Sequence, residues 1–208
     1  MNIKLIIAAM LAATSMAAHA GKDMQALMDK AIAESFKPGE GQDLSRLKQD
    51  ETQMLCSTSR NSPSPKDAEA LMTREKATIQ YPADGKLMGD WKQGEKLVKS
   101  GFGMRIGSIE PDPPAKQKGG NGGNCYACHA VDPKEVAAGN MGPSLTGYGK
   151  LRGQGEDIAK YTYEKLYNAQ AFVACSNMPR LGHNGILKPA QIADITAYLL
   201  SSESPVNK

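Results

Sequence analysis

Residues 125 to 129 read Cys125-Tyr126-Ala127-Cys128-His129, and no other stretch narrows the possibilities as far. Two thiols separated by two residues can each add across one vinyl group of a haem, and the histidine that follows is then placed to ligate the iron from one side. The pattern predicts c-type haem attachment, with Cys125 and Cys128 as the covalent positions and His129 as an axial ligand. A zinc site would need a second ligand pair, and a thioredoxin-like redox motif would carry no histidine there. The chain offers neither, and His19 and His183 are the only other histidines.

The first 20 residues are expected to direct export. Lys4 precedes an apolar run from Leu5 to Ala18, softened by Thr14 and Ser15, and Ala18-His19-Ala20 forms a small-residue cleavage pattern before Gly21. That arrangement reads as a secretory signal peptide, and the run is too short for a membrane anchor of about 20 apolar residues. A bacterial periplasm is the expected compartment, with no membrane span in the mature chain. Removing residues 1 to 20 leaves 188 of the 208 residues, enough for one modest domain and an arm. Of 25 Lys+Arg and 22 Asp+Glu, only Lys4 is removed with the leader, which leaves a net charge near +2. With no dense basic stripe, nucleic acid is not an expected partner.

Cys56 and Cys175 remain once the haem pair is set aside. In an oxidising compartment a disulfide is the economical reading, and closing so long a loop would stabilise the fold by about 4 to 5 kcal/mol in the chain-entropy account. The competing reading is a reactive thiol at Cys175.

Taken in order, the apolar residues Met24, Leu27, Met28, Ala31 and Ile32 recur at helical spacing until Lys37-Pro38-Gly39. Leu44, Leu47, Met54 and Leu55 continue more loosely to Cys56, and residues 57 to 65 read as a loop. Ser64 is placed to cap a helix with Pro65 in its first turn and Leu71 and Met72 on its apolar face. Residues 21–80 are therefore expected to form an α-helical arm, without chemistry of its own. The cofactor domain, residues 81–208, opens with Asp90 as N-cap and Gln93 in capping-box position, and its helix carries Trp91, Gly94, Leu97 and Val98. Gly94 costs about 1 kcal/mol relative to alanine inside a helix, which points to close approach of another element. The matching helix starts at Pro189 and carries Ile192, Ile195, Tyr198 and Leu199. Terminal helices crossing with a glycine against an aromatic ring resemble the class I cytochrome c fold, so the expected class is all-α. Residues 102–124, rich in Pro, Gly and Lys, have no hydrophobic period, and residues 156–169 form a further helix.

Met141-Gly142-Pro143-Ser144-Leu145-Thr146-Gly147 resembles a segment of class I cytochromes whose proline carbonyl accepts a hydrogen bond from the ligating histidine. The resemblance gives that role to Pro143. Opposite His129 the candidates are Met178, Met141, Met104 and His183. Met178, in Asn177-Met178-Pro179 between two helices, is favoured, with His183 its main competitor.

Three stretches together resemble the SoxX cytochromes of bacterial thiosulfate oxidation: residues 81–91, residues 123–129, and residues 167–185 with Met178-Pro179-Arg180-Leu181-Gly182-His183-Asn184-Gly185. The resemblance runs from about residue 79 to 200. It implies a single covalently bound haem c and a heterodimer with a SoxA-like cytochrome. In that family the complex is an S-thiosulfotransferase, which oxidatively joins thiosulfate to a cysteine of the SoxYZ carrier. The sulfur-carrying catalytic cysteine lies on SoxA, so this chain would pass electrons to a soluble cytochrome c. Two alternatives stay open: a freely diffusing electron carrier, and a catalyst using Cys175 itself.

Overall fold

The computed structural model describes residues 24, 26–37, 44–102 and 121–208. The leader and most of the 102–124 segment lie outside the described residues. Among those described, regular structure is helical, with no strand. The chain divides into two compact units. The first includes described residues 24–49, with helix α1 over 26–35 and a 3-10 turn at Ser45–Leu47. Met24, Leu27 and Met28 are exposed there.

The second unit holds α2 (Glu51–Thr58), α3 (Pro65–Ala77), α4 (Trp91–Lys99), α5 (Tyr148–Arg152), α6 (Glu156–Tyr167) and α7 (Pro189–Leu200). The division falls between residues 49 and 50, and α2 and α3 share a unit with the haem motif. Local chemistry explains each start. Asp50 and Gln53 form a reciprocal capping box at α2, with Gln53 N 2.7 Å from Asp50 Oδ1 and Asp50 N 2.9 Å from Gln53 Oε1. Ser64 caps α3 by accepting the Asp67 N–H, ahead of Pro65 at the first helical position.

The crossing of α4 and α7 is the centre of the core. Gly94, Leu97 and Val98 face inward on α4, while Ile192, Ile195, Tyr198 and Leu199 are buried on α7. At Gly94 a methyl group would lie 2.1 Å from the Asp194 carbonyl oxygen and 2.9 Å from Tyr198 Cβ, so the two backbones meet where only glycine fits. Asp90 caps α4 as expected, but through the Lys92 N–H, and the box with Gln93 does not form. The reason is tertiary: the Asp90 N–H donates instead to Asp194 Oδ1 at 2.7 Å, across the crossing. Helix α6 packs on α7 through Tyr163, Leu166 and Tyr167. Tyr161 turns to the other side and meets Phe172 edge-on at 5.0 Å.

Candidate haem site

The attachment motif is a single tight turn. Asn124 takes left-handed backbone geometry at φ 48°, and a 3-10 turn over Cys125–Ala127 follows. Both the Cys128 and the His129 N–H groups donate to the Cys125 carbonyl, at 3.1 and 2.9 Å. Cys125 and Cys128 are free thiols, and burial, with Cys128 beside it, pushes the Cys125 thiol up to about 12.

The loop that follows wraps back over the motif. Gly139 N donates to the Tyr126 carbonyl and Gly142 N to the Cys128 carbonyl, both at 2.8 Å. This brings Pro143 O to 2.7 Å from His129 Nδ1. A backbone carbonyl can only accept, so Nδ1 carries the proton and Nε2 is left with its lone pair available to a metal. Gly142 lies flat against the imidazole: a Cβ there would sit 2.2 Å from His129 Cε1. The ring is thus oriented by a hydrogen bond on one edge and by backbone on one face.

One pocket brings three of the expected groups together, while Cys128 is not among its lining residues. Cys125, His129 and Met178 share it with Val98, Val131, Leu145, Leu166, Ile195 and Leu199, drawn from α4, α6, α7 and the loops between them. The set offers a thiol, an imidazole nitrogen, a thioether and otherwise apolar side chains, which are the donors and surroundings that a covalently held haem requires. The residues fit the group.

The other candidate ligands stand elsewhere. Met141 is 74% exposed, and Met104 lies outside the described residues. His183 is turned away from the pocket: Nδ1 is 3.1 Å from Thr78 Oγ1, and Nε2 is 3.2 Å from Arg180 Nη1. Cys56 and Cys175 form a disulfide, with Cα atoms 5.4 Å apart, so Cys175 has no free thiol and the reading of this chain as a sulfur-carrying catalyst through Cys175 falls.

Composition and periodicity missed the polar layer behind Met178. Glu75 accepts from Thr52 Oγ1, from Asn168 Nδ2 at 2.7 Å and from Arg180 Nη1 at 3.3 Å, while Arg180 Nη2 pairs with Asp50. Burial raises the Glu75 carboxyl, but the bonds from Asn168 and Thr52 and the charge of Arg180 outweigh it and hold the group below its usual range. Asp50 followed three residues on by Gln53 is a capping-box pattern that could have marked one end of this layer.

Residues 120–203 match the family model for cytochrome c. That stretch is a cytochrome c domain, and the helical architecture around it is the class I cytochrome c arrangement; a domain of this kind holds a covalently bound haem c and carries electrons. The chain is also similar to an uncharacterized lipoprotein of Aquifex aeolicus (strain VF5), with 48% identity over 122 residues. That alignment takes in 58% of this chain and 53% of the relative, so the chain spans about half the relative's length.

Proposed function

We propose that the protein is a periplasmic monohaem cytochrome whose iron is held by His129 and Met178, and that it serves as the electron-transfer subunit of a SoxAX-like thiosulfate-oxidising complex. The observation that carries the haem assignment is the convergence of Cys125, His129 and Met178 on one apolar pocket while the His129 ring is fixed by Pro143. Haem supplies reversible one-electron storage when bound. Around it, Val98, Val131, Leu145, Leu166, Ile195 and Leu199 exclude water and disfavour added charge, and a thioether opposite histidine raises the potential relative to two histidines. Pro143 keeps the His129 proton on Nδ1, so Nε2 serves as the ligand. The leader pattern of residues 1–20 supports placement outside the cytoplasm, as does the name of the Aquifex relative. Among the described residues no helix is long and apolar enough to cross a membrane.

The sulfur chemistry rests on the likeness of residues 81–91, 123–129 and 167–185 to SoxX cytochromes. In the proposed complex a carrier thiol and thiosulfate join through a new S–S bond, releasing one proton and two electrons. The partner, a SoxA-like cytochrome, bears the sulfur-carrying cysteine, and the substrate thiol belongs to a SoxYZ-like carrier. The electrons leave through this chain, one at a time, to a soluble cytochrome c. The test is purification of the native protein from periplasm, with haem staining and a thiosulfate-plus-carrier assay on what travels with it. A stoichiometric haem-bearing partner and thiosulfate-dependent cytochrome reduction are expected. A lone monohaem protein that only exchanges electrons would leave the free-carrier reading and remove the sulfur chemistry.

A further inference from the structure

No residue of α2 or α3 lines the haem pocket, yet these helices hold the Met178 loop at two points. Three residues before Met178, Cys175 is bonded to Cys56 of α2. Two residues after it, Arg180 is buried to 5% exposure and reaches carboxylates from two directions: Glu75 of α3 at 3.3 Å and Asp50 at the head of α2. His183 fixes the guanidinium from a third side, its Nε2 accepting from Nη1 at 3.2 Å. Asp50 serves both structures, because one carboxylate oxygen caps α2 while the other accepts from Arg180.

We propose that α2 and α3 form a clamp on the Met178 loop, in which Arg180, bridging Glu75 and Asp50, is the positioning residue that keeps the Met178 thioether on the iron. The proposal rests on His129/Met178 ligation as stated above. Three physical points support it. A buried ion pair returns little net stability against apolar replacements of the same size, so stability alone gives no reason for these groups to be charged. A bridging guanidinium does fix geometry, since its planar donors accept only one arrangement of two carboxylates. Finally, Pro179 alone separates Arg180 from Met178 and its ring limits backbone rotation, so an anchor at Arg180 restrains the thioether directly.

The experiment uses the holoprotein and two variants. Asp50→Asn keeps a good helix cap but turns a donor toward Arg180, and Glu75→Gln combined with Arg180→Met removes both buried charges. Each is read by the weak far-red absorption that a thioether gives on ferric haem, by the reduction potential, and by the affinity of the ferric protein for added imidazole, which competes with Met178. The clamp predicts a weakened far-red band, a lower potential and an imidazole affinity raised about 10- to 100-fold, the usual cost of losing an outer partner of a metal ligand. The double variant is decisive because neutralising the pair restores ordinary stability without restoring the bridge. If it folds with the wild-type band and imidazole affinity, the clamp is refuted, and if it does not fold, Asp50→Asn decides by the same readings. A wild-type protein that lacks the band would overturn His129/Met178 ligation, and the clamp with it.

Discussion

Replacing Gly94 with alanine tests the crossing that organises the pocket. The added methyl group would lie 2.1 Å from the Asp194 carbonyl oxygen, 2.6 Å from its carbon and 2.9 Å from Tyr198 Cβ. These are backbone or backbone-proximal atoms that cannot rotate aside, so α4 and α7 must separate by roughly 1 Å, enough to forfeit a quarter to a half of the dispersion attraction between facing atoms. Overpacking of this kind costs about 1 to 3 kcal/mol, and a clash with backbone belongs at or above the upper end. Alanine returns about 1 kcal/mol of helix propensity. The net expectation is about 2 to 3 kcal/mol of destabilisation, a fall in Tm of roughly 4 to 12 °C for a domain of this size. Val98 of α4 and Ile195 and Leu199 of α7 also line the pocket, so the haem absorption should shift as well. The assay is thermal and urea unfolding of the holoprotein followed at the haem band. Gly155→Ala is the control, because a methyl group there meets nothing within 4 Å and should cost under about 1 kcal/mol. A Gly94→Ala protein as stable as wild type would refute the reasoning.

Gly142→Ala should lower the yield of holoprotein and shift the reduction potential, because its Cβ would meet the His129 ring and displace it from Pro143 O; an unaltered potential would show that the ring is oriented by other means. Removing the disulfide with Cys56→Ser and Cys175→Ser should cost up to about 5 kcal/mol in urea unfolding and weaken the Met178 bond to iron, visible in the far-red spectrum. An unchanged far-red spectrum would count against that link. Glu75 and Asp50 both titrate below their usual ranges. Burial works against this in each, but for Asp50 the Gln53 N–H and Arg180 prevail, and for Glu75 Asn168, Thr52 and Arg180 do. Depressed carboxylates stabilise the fold fully above the unfolded pKa of about 4. That contribution is lost as the pH falls through the lower folded values, so the urea midpoint should drop in acid, and Asp50→Asn should flatten part of the drop.

Features set by local chemistry were legible before any coordinates. The C-x-x-C-H run names its own chemistry, the 3.6-residue period on α4 and α7 exposes the buried faces, and a glycine inside a helix announces a close crossing. The Ser64-Pro65 start of α3 follows from capping alone. The failures share a cause, which is that the deciding partner lies far away in sequence. Gln93 stands in capping-box position, but Asp194, 104 residues from Asp90, takes the N–H it would have bonded. Glu75 reads as one more charge on a solvated helix, and only the fold brings Arg180 to it from 105 residues away. On α6, where the sequence alone assigns no buried face, packing on α7 turns Tyr163 into the core and leaves Tyr161 against Phe172.

The most direct test of the account is the far-red absorption of the ferric holoprotein, measured for wild type and for Met178→Ala. Ligation by His129 and Met178 predicts a thioether band in the wild type that is absent in the variant, with the covalent haem still attached through Cys125 and Cys128. A wild type without the band, or a variant that keeps it, would show that another group holds the iron opposite His129.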